Sequence, residues 1–383
     1  MNINDVFIKC VEKWAENELD DRINFAMDKF DDWIKDFDKE EKDILCKILE
    51  KFNYYPLGNI NKLIKELSDE SRKVFGVSND DSVISVVTYI NDNIILGGPH
   101  VAEFETRDNK FFIKIEQCGY RKISIKASEE TSVFELYGVF TKIERLLMIF
   151  DGQFLNLENL EFTDLSDTKK SMLKSVGNNL MHQRLSYFKS SDLVSYKVDK
   201  LLEFEEVLNS DLYDKWEQLL EELDIAHQMY LYAMGDTKIT VDVKCAFLIE
   251  LAETLVEVLK VYTNSFQKLK PGNGTSLKAC VKALIEEYGK DIFEREMEAN
   301  EKEFLSTVIN SRVRIMHIKR NQKIKYFDGN ESVLYILKLS LLYRRILLEI
   351  LGVEKQVYVD KLRKCVSRLN RWNDTLDKFL LRL

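Results

Sequence analysis

Apolar residues in the second half of the chain recur at helical spacing and predict helices from about residue 169 to the end. A turn at 270–274 interrupts the pattern, and further helices are predicted over residues 276–288, 293–317, 333–351 and 357–383. The clearest stripe, within residues 240–269, keeps steps of four and three: Val241, Cys245, Leu248, Ala252, Leu255, Leu259, Tyr262 and Phe266. Such stripes, joined mostly by short loops, indicate a helical bundle.

The first half of the chain changes its pattern twice. Residues 3 to about 75 place apolar and acidic positions at helical spacing, which predicts a small helical module. Short β-rich runs follow at 82–90, 101–107, 110–116 and 121–126, and the last two alternate with period two, so that one face should be buried. A helix over 128–151, with Ser128 as its N-cap, and a strand over 155–162 complete this region.

The predicted fold class is therefore mainly α, with a C-terminal helical bundle after an N-terminal α+β region that contains a small antiparallel sheet. The predicted domains are a helical module over 1–78, a small α+β domain over 79–165 and the bundle over 166–383.

Composition supports long helices and argues against a membrane span. The chain of 383 residues has only 3 prolines and 14 glycines, with 32% charged residues. Its longest apolar stretch, 333–353, is interrupted by Lys338, Arg344, Arg345 and Glu349, and its acidic start is unlike a signal peptide. A cytoplasmic protein is expected. The six scattered cysteines show no zinc spacing, so neither a metal nor a cofactor is expected.

The charge is distributed unevenly between the two ends. Residues 1–50 contain 8 Lys and Arg against 15 Asp and Glu, a net of −7, whereas residues 301–383 contain 18 against 9, a net of +9. An acidic protein can thus still offer a basic face to a polyanion. The alternative interpretation is that the two ends complement one another.

Within the basic end, Arg312 and His317 stand at the spacing R-x4-H inside a predicted helix. An arginine that is always charged and a histidine that titrates near neutrality suffice to cleave RNA without a metal. This motif, late in a helical C-terminal half and followed by the long helical segment 326–352, resembles the HEPN ribonucleases. The nearest resemblance is to the ApeA-like branch of bacterial anti-phage abortive-infection systems.

The resemblance implies a compact bundle that pairs with a second copy, so that the two R-x4-H motifs meet at the seam of a homodimer. RNA is the implied substrate. The N-terminal region, whose β-rich pattern loosely resembles that of ApeA-like proteins, is expected to meet a phage-derived trigger protein or a regulatory partner.

The chemistry assigns roles at this seam. His317 is expected to act as acid or base on the ribose 2'-hydroxyl or the leaving oxygen, and Arg312 to clamp the phosphate. Asn310, Arg314 and Asn321 are expected to hold the substrate, and Glu253 to support the site. The neighbouring carboxylates of the triplet Glu250, Glu253 and Glu257 are interpreted as a solvated acidic face.

Two features leave alternatives open. Helical geometry places Arg312 and His317 about 140° apart around the axis, whereas Asn310, Arg314, His317 and Asn321 share one stripe, so Arg314 could be the partner instead. Val313 also stands where the family commonly has a polar residue. The predicted function is a triggered, metal-independent endoribonuclease; the alternatives are a non-catalytic module that dimerises and binds RNA or protein, and an antitoxin-type or nucleotidyltransferase-associated subunit.

Overall fold

A computed structural model describes residues 39, 76–77, 100–118, 120–129, 131–152, 159–162, 173–174, 177–180, 200–223, 225–235, 238–271, 274–316 and 324–383. The chain divides into two compact units, one of residues 1–143 and 155–184 and one of residues 144–154 and 185–383. Nearly all of the helical module predicted over 3–75, and the strand predicted at 82–90, lie outside the described residues. The three predicted domains stay predictions.

The first unit contains the small antiparallel sheet that the sequence predicts. Strands β2 (His100–Glu105), β3 (Phe111–Cys118) and β4 (Tyr120–Ala127) pair in the order β2-β3-β4, and β1 (Gly76–Val77) pairs with β5 (Thr131–Ser132). The register sets Ile113 opposite Ile125 and Ile115 opposite Ile123, and all four side chains are buried. Cross-strand pairs of β-branched residues stabilise a sheet that has one buried face.

The helix after the sheet, α1, spans Val133–Asp151 and starts later than predicted. Ser128 is not its N-cap, because the Ser128 hydroxyl donates to the carbonyl oxygen of Lys110 and residues 131–132 form β5. Strand pairing outweighs the local capping signal here. Of the strand predicted at 155–162, residues 155–158 lie outside the described part, and 159–162 contain a single bridging residue, Glu161.

The second unit is a bundle, and it confirms the predicted fold class. Its helices after α1 are α2 (Ser210–Leu223), α3 (Ile225–Met234), α4 (Val241–Tyr262), α5 (Leu277–Leu284, continued by a π-turn at Ile285–Gly289), α6 (Glu294–Met316), α7 (Gly329–Ile350), α8 (Lys355–Leu369) and α9 (Asn373–Arg382). Helix α4 is central and packs against α3, α5, α6 and α7. The single helix predicted over 357–383 is wrong, since Trp372 leaves the helical conformation between α8 and α9.

Helix α6, which carries the motif, is interrupted at Asn300. This residue adopts φ −167° and ψ 88°, and its side-chain oxygen accepts a hydrogen bond from the backbone N–H of Glu303 at 3.1 Å. Asn300 therefore acts as the N-cap of a second helical run that ends at Met316. Its amide nitrogen also donates to the carbonyl oxygen of Leu383, which ties the start of that run to the end of α9.

A buried ion pair fixes the first part of α6 on α7. The ammonium nitrogen of Lys338 lies 2.5 Å from Oε1 of Glu296, and neither side chain is exposed. The hydroxyl of Tyr335 donates to the same oxygen at 3.2 Å. Burial lowers the pKa of Lys338 and raises that of Tyr335 well above its ordinary value. A buried pair of this kind favours one packing of the two helices over others.

Arg344 of α7 binds the C-terminal end of α1. Its guanidinium is fully buried and donates to the carbonyl oxygens of Ile149 and Phe150 at 2.7 and 2.8 Å. The last carbonyls of a helix have no partner within it, so a cation at this end satisfies them and opposes the helix dipole. No helix in the described residues is long and apolar enough to cross a membrane.

Candidate functional site

Arg312 lies on the second run of α6 and faces the central helix α4. Its Nη2 donates to Oε1 of Glu250 at 2.8 Å, and its Nε donates to the other oxygen of the same carboxylate. The Arg312 side chain is 19% exposed and that of Glu250 is 26% exposed. This bidentate ion pair joins α6 to α4 and holds the guanidinium in one orientation.

The carboxylates of α4 are not equivalent. Interpreting them all as a solvated acidic face is wrong for Glu250, which pairs with Arg312. Glu257 fits that interpretation, since it is half exposed and pairs with Lys260 on its own helix. Hydrogen bonding to Glu250 raises the pKa of Arg312, and the charges of Glu250 and Glu253 act in the same direction. Glu253, the support residue predicted from the sequence, thus contributes to the electrostatic field around Arg312.

Arg314 faces a different part of the bundle. Its guanidinium carbon lies 3.8 Å from the ring centre of Tyr326, in the segment between α6 and α7, and the Arg314 side chain is exposed. Two residues along a helix turn the side chain by about 200°, so Arg312 and Arg314 lie on opposite sides of α6. The structure brings Arg312, but not Arg314, against the carboxylates of α4.

Asn310 and Ser311 hold the segment that follows the motif. The amide nitrogen of Asn310 donates to the carbonyl oxygen of Lys325 at 3.1 Å, and the backbone N–H of Phe327 donates to the Ser311 hydroxyl at 2.8 Å. Ser311 in turn donates to the carbonyl oxygen of Thr307. Asn310 therefore has a positioning contact within the bundle, in addition to the substrate contact predicted for it.

Two of the six predicted site residues, His317 and Asn321, lie outside the described residues. The described part of α6 ends at Met316, one residue before His317. The sequence prediction that places His317 at the site therefore stays a prediction. Val313, between the two arginines, is partly buried.

His227 is a core residue. Its Nδ1 lies 2.9 Å from the hydroxyl of Tyr343, and its ring packs edge-on against Trp216. Burial, assisted by the charge of Arg145, holds the pKa of His227 well below its ordinary value. A neutral histidine of this kind contributes to packing.

The positive surplus of residues 301–383 is partly used inside the bundle. Arg345 pairs with Asp291 and Glu349, and Arg382 pairs with Glu331. Lys325 lies 3.0 Å from Glu303. Fewer cations are therefore available to a polyanion than the net charge of this segment indicates.

Residues 244–357 match the family model described as Apea-like HEPN. The match begins within α4, ends within α8 and includes both Glu250 and Arg312. This match confirms, for residues 244–357, the resemblance noted from the motif.

The remaining comparisons add no relative: no curated protein and no solved structure matches the chain. HEPN domains are generally ribonucleases, commonly dimerise and bind RNA, and this family is associated with abortive infection.

Proposed function

We propose that this chain is a metal-independent endoribonuclease effector of a bacterial anti-phage abortive-infection system. The observation that carries the proposal is the bidentate ion pair of Arg312 with Glu250 inside the segment that matches the HEPN family model. A cation that must stabilise a phosphorane-like transition state works best when it is oriented before the substrate binds. The carboxylate of Glu250 supplies that orientation.

The proposed chemistry uses the ribose as its own nucleophile. A base removes the proton of the 2'-hydroxyl, whose oxygen attacks phosphorus, and an acid protonates the departing 5'-oxygen, so that a 2',3'-cyclic phosphate and a 5'-hydroxyl result. His317 is proposed to hold the acid or base role. Arg312 is proposed to bind the phosphate oxygens as negative charge gathers on them. Glu250 is a positioning residue, with Glu253 adding to the field.

The proposed assembly is a homodimer through the C-terminal bundle, in which two His317 side chains meet. The N-terminal region is proposed to receive the phage-derived trigger or a regulatory partner, because every residue with a proposed direct chemical role lies beyond 300. Asn321 is proposed to contact the RNA.

A non-catalytic module that dimerises and binds RNA or protein is the second candidate. Val313, in place of a polar residue after Arg312, favours it, as does the partial neutralisation of Arg312 by Glu250. The two candidates differ in whether Arg312 is needed for bond cleavage or only for binding.

The deciding experiment compares Arg312→Ala with Arg314→Ala in RNA cleavage and in cell toxicity. Loss of a transition-state cation costs on the order of a hundredfold to a thousandfold in rate, whereas loss of one phosphate contact weakens binding and lowers the salt dependence by about one charge. Arg312→Ala should therefore abolish cleavage, and Arg314→Ala should mainly weaken binding. An inactive Arg314→Ala beside an active Arg312→Ala would assign the site to the helical stripe of Asn310, Arg314, His317 and Asn321. No RNA cleavage by the wild-type protein, with toxicity unchanged in both variants, would favour the binding module.

A further inference from the structure

The Arg314 guanidinium lies on the ring of Tyr326 and forms a flat surface at the end of α6. The distance from the guanidinium carbon to the ring centre is 3.8 Å, which is close contact for two stacked planes. Arg314 is exposed and Tyr326 is partly buried, so the guanidinium covers the ring from the solvent side. We call this pair the Arg314–Tyr326 platform.

Three successive backbone contacts hold the platform in place. The carbonyl oxygen of Lys325 accepts from Asn310, and the carbonyl oxygen of Tyr326 accepts from the guanidinium of Arg382 at 3.0 Å. The N–H of Phe327 donates to the Ser311 hydroxyl. Tyr326 therefore enters any complex with little conformational entropy left to lose.

The neighbouring side chain anchors the same segment in the core. Phe327 is buried, and its ring stacks on that of Tyr335 with the centres 3.9 Å apart. Tyr335 is itself buried and is bonded to Glu296. Because Phe327 faces the core, the adjacent Tyr326 is directed to the partly exposed position under Arg314.

We propose that the Arg314–Tyr326 platform stacks a nucleobase of the single-stranded RNA that Arg312 binds from the opposite side of α6. This inference rests on the proposed function, since it takes RNA as the ligand. Unstacked RNA bases are commonly bound on arginine planes and aromatic rings. Both arginines lie in the last turns of α6, so a strand that crosses the end of this helix meets Arg312 on one side and Arg314 on the other.

The role proposed for Arg314 differs from a simple phosphate contact. A phosphate needs only positive charge, which lysine supplies as well, whereas stacking needs the flat guanidinium. If the platform stacks a base, Arg314→Lys should lose affinity for the base while it keeps affinity for the RNA backbone. If Arg314 only contacted a phosphate, the loss of RNA affinity in Arg314→Lys would be the same with and without the base.

The test measures binding in EDTA by fluorescence anisotropy, with full-length His317→Ala protein as the reference. The probes are short single-stranded RNAs, each lacking the base at one position, compared with the intact strand of equal charge. We expect one position at which removal of the base weakens binding by about tenfold, the low end of the effect of stacking on one base. Adding Arg314→Lys or Tyr326→Leu should remove this discrimination and leave the affinity for the abasic strand nearly unchanged.

Two further variants serve as controls. Arg363→Lys makes the same substitution at an exposed arginine that pairs with Asp360 on α8, and it should keep the discrimination. Tyr326→Phe retains the ring and should keep the discrimination that Tyr326→Leu loses. Full discrimination in Arg314→Lys, or an equal loss for intact and abasic strands, would overturn the proposal.

The readout separates this inference from the proposed function. A protein that cleaves RNA but binds intact and abasic strands equally well at every position has the nuclease activity without the platform. A protein that cleaves no RNA but shows discrimination dependent on Arg314 has the platform without the nuclease activity.

Discussion

The pair between Glu250 and Arg312 gives the sharpest prediction, because Glu250→Gln removes the charge and keeps the shape. Glutamine retains one oxygen that can accept from Nη2 of Arg312, and it loses the second charged acceptor. If Glu250 orients the arginine for phosphate, the guanidinium becomes mobile in this variant and cleavage slows.

The expected loss of stability in Glu250→Gln depends on how far the ion pair is shielded from solvent. Two unit charges about 4 Å apart attract by about 4 kcal/mol at the effective dielectric near a protein surface, whereas fully exposed pairs contribute only about 0.2–1 kcal/mol. With side chains 19% and 26% exposed, the pair lies between these limits. Since glutamine keeps one hydrogen bond, we expect a loss of about 1 kcal/mol in the free energy of unfolding, a small part of a typical total of about 5–15 kcal/mol.

The effect on cleavage should be larger than the effect on folding. A catalytic group displaced by about 1 Å can lose on the order of a hundredfold in rate, so we expect Glu250→Gln to slow single-turnover RNA cleavage by about tenfold to a hundredfold. A protein destabilised by about 1 kcal/mol remains almost wholly folded, so unfolding cannot explain such a loss.

Glu257→Gln is the matched control, because Glu257 lies on the same helix and pairs with Lys260 in solvent. It should leave the rate unchanged. Glu253→Gln should have an intermediate effect, and Glu250→Gln should add nothing in an Arg312→Ala background, since the two residues act as one unit. A rate for Glu250→Gln equal to or above that of the wild type would refute the positioning role and indicate that the carboxylate restrains Arg312.

Three further predictions concern stability and assembly. Because burial lowers the pKa of His227, this side chain binds a proton below about pH 6.5 in the unfolded chain but not in the folded one. The free energy of unfolding, measured with urea, should therefore fall by about 1.4 kcal/mol for each pH unit of acidification below that point. The dependence on pH should be weaker in His227→Gln, and an equal dependence would contradict the assignment. A fragment of residues 166–383 lacks the two carbonyl oxygens that accept hydrogen bonds from Arg344, and each such bond to a charged group contributes about 1.5–3 kcal/mol. This fragment should therefore melt at a clearly lower temperature than a fragment of residues 133–383. Equal melting temperatures would count against the contact. Sedimentation should find a dimer joined through the C-terminal bundle, and a monomer at micromolar concentration would exclude a shared site.

The sequence predicted the bundle well because its signal is local. In the α4 stripe, Cys245, Leu248, Ala252, Leu255 and Leu259 are all buried. Tyr262, at the end of α4, is exposed, whereas Phe266, the last residue of the stripe, is buried in the turn after the helix. Spacing identifies the packed face of a helix, whereas the ends of that face depend on the neighbours.

The break in α6 had a signal that the helical pattern concealed. Asn300 is followed three residues later by Glu303, an arrangement typical of the start of a helix, and the structure has Asn300 in that role. The start of α1 shows the opposite case, because Ser128 is a good N-cap by type and strand pairing delays the helix until Val133.

The partners of the two motif arginines could not be predicted from spacing. Glu250 is 62 positions from Arg312, and periodicity says which carboxylates share a face of α4 but not which helix packs on that face. Tyr326 follows the motif closely in sequence, yet its place under Arg314 depends on Phe327 entering the core. Both contacts are tertiary, and they place the two arginines in different surroundings, which the helical wheel could not predict.

RNA cleavage by the purified full-length protein in EDTA, with analysis of the ends of the products, tests the central claim most directly. We expect cleavage that persists in EDTA, products with a 2',3'-cyclic phosphate and a 5'-hydroxyl, and loss of both in Arg312→Ala and His317→Ala. Cleavage that stops in EDTA, or that continues unchanged in both variants, would contradict it.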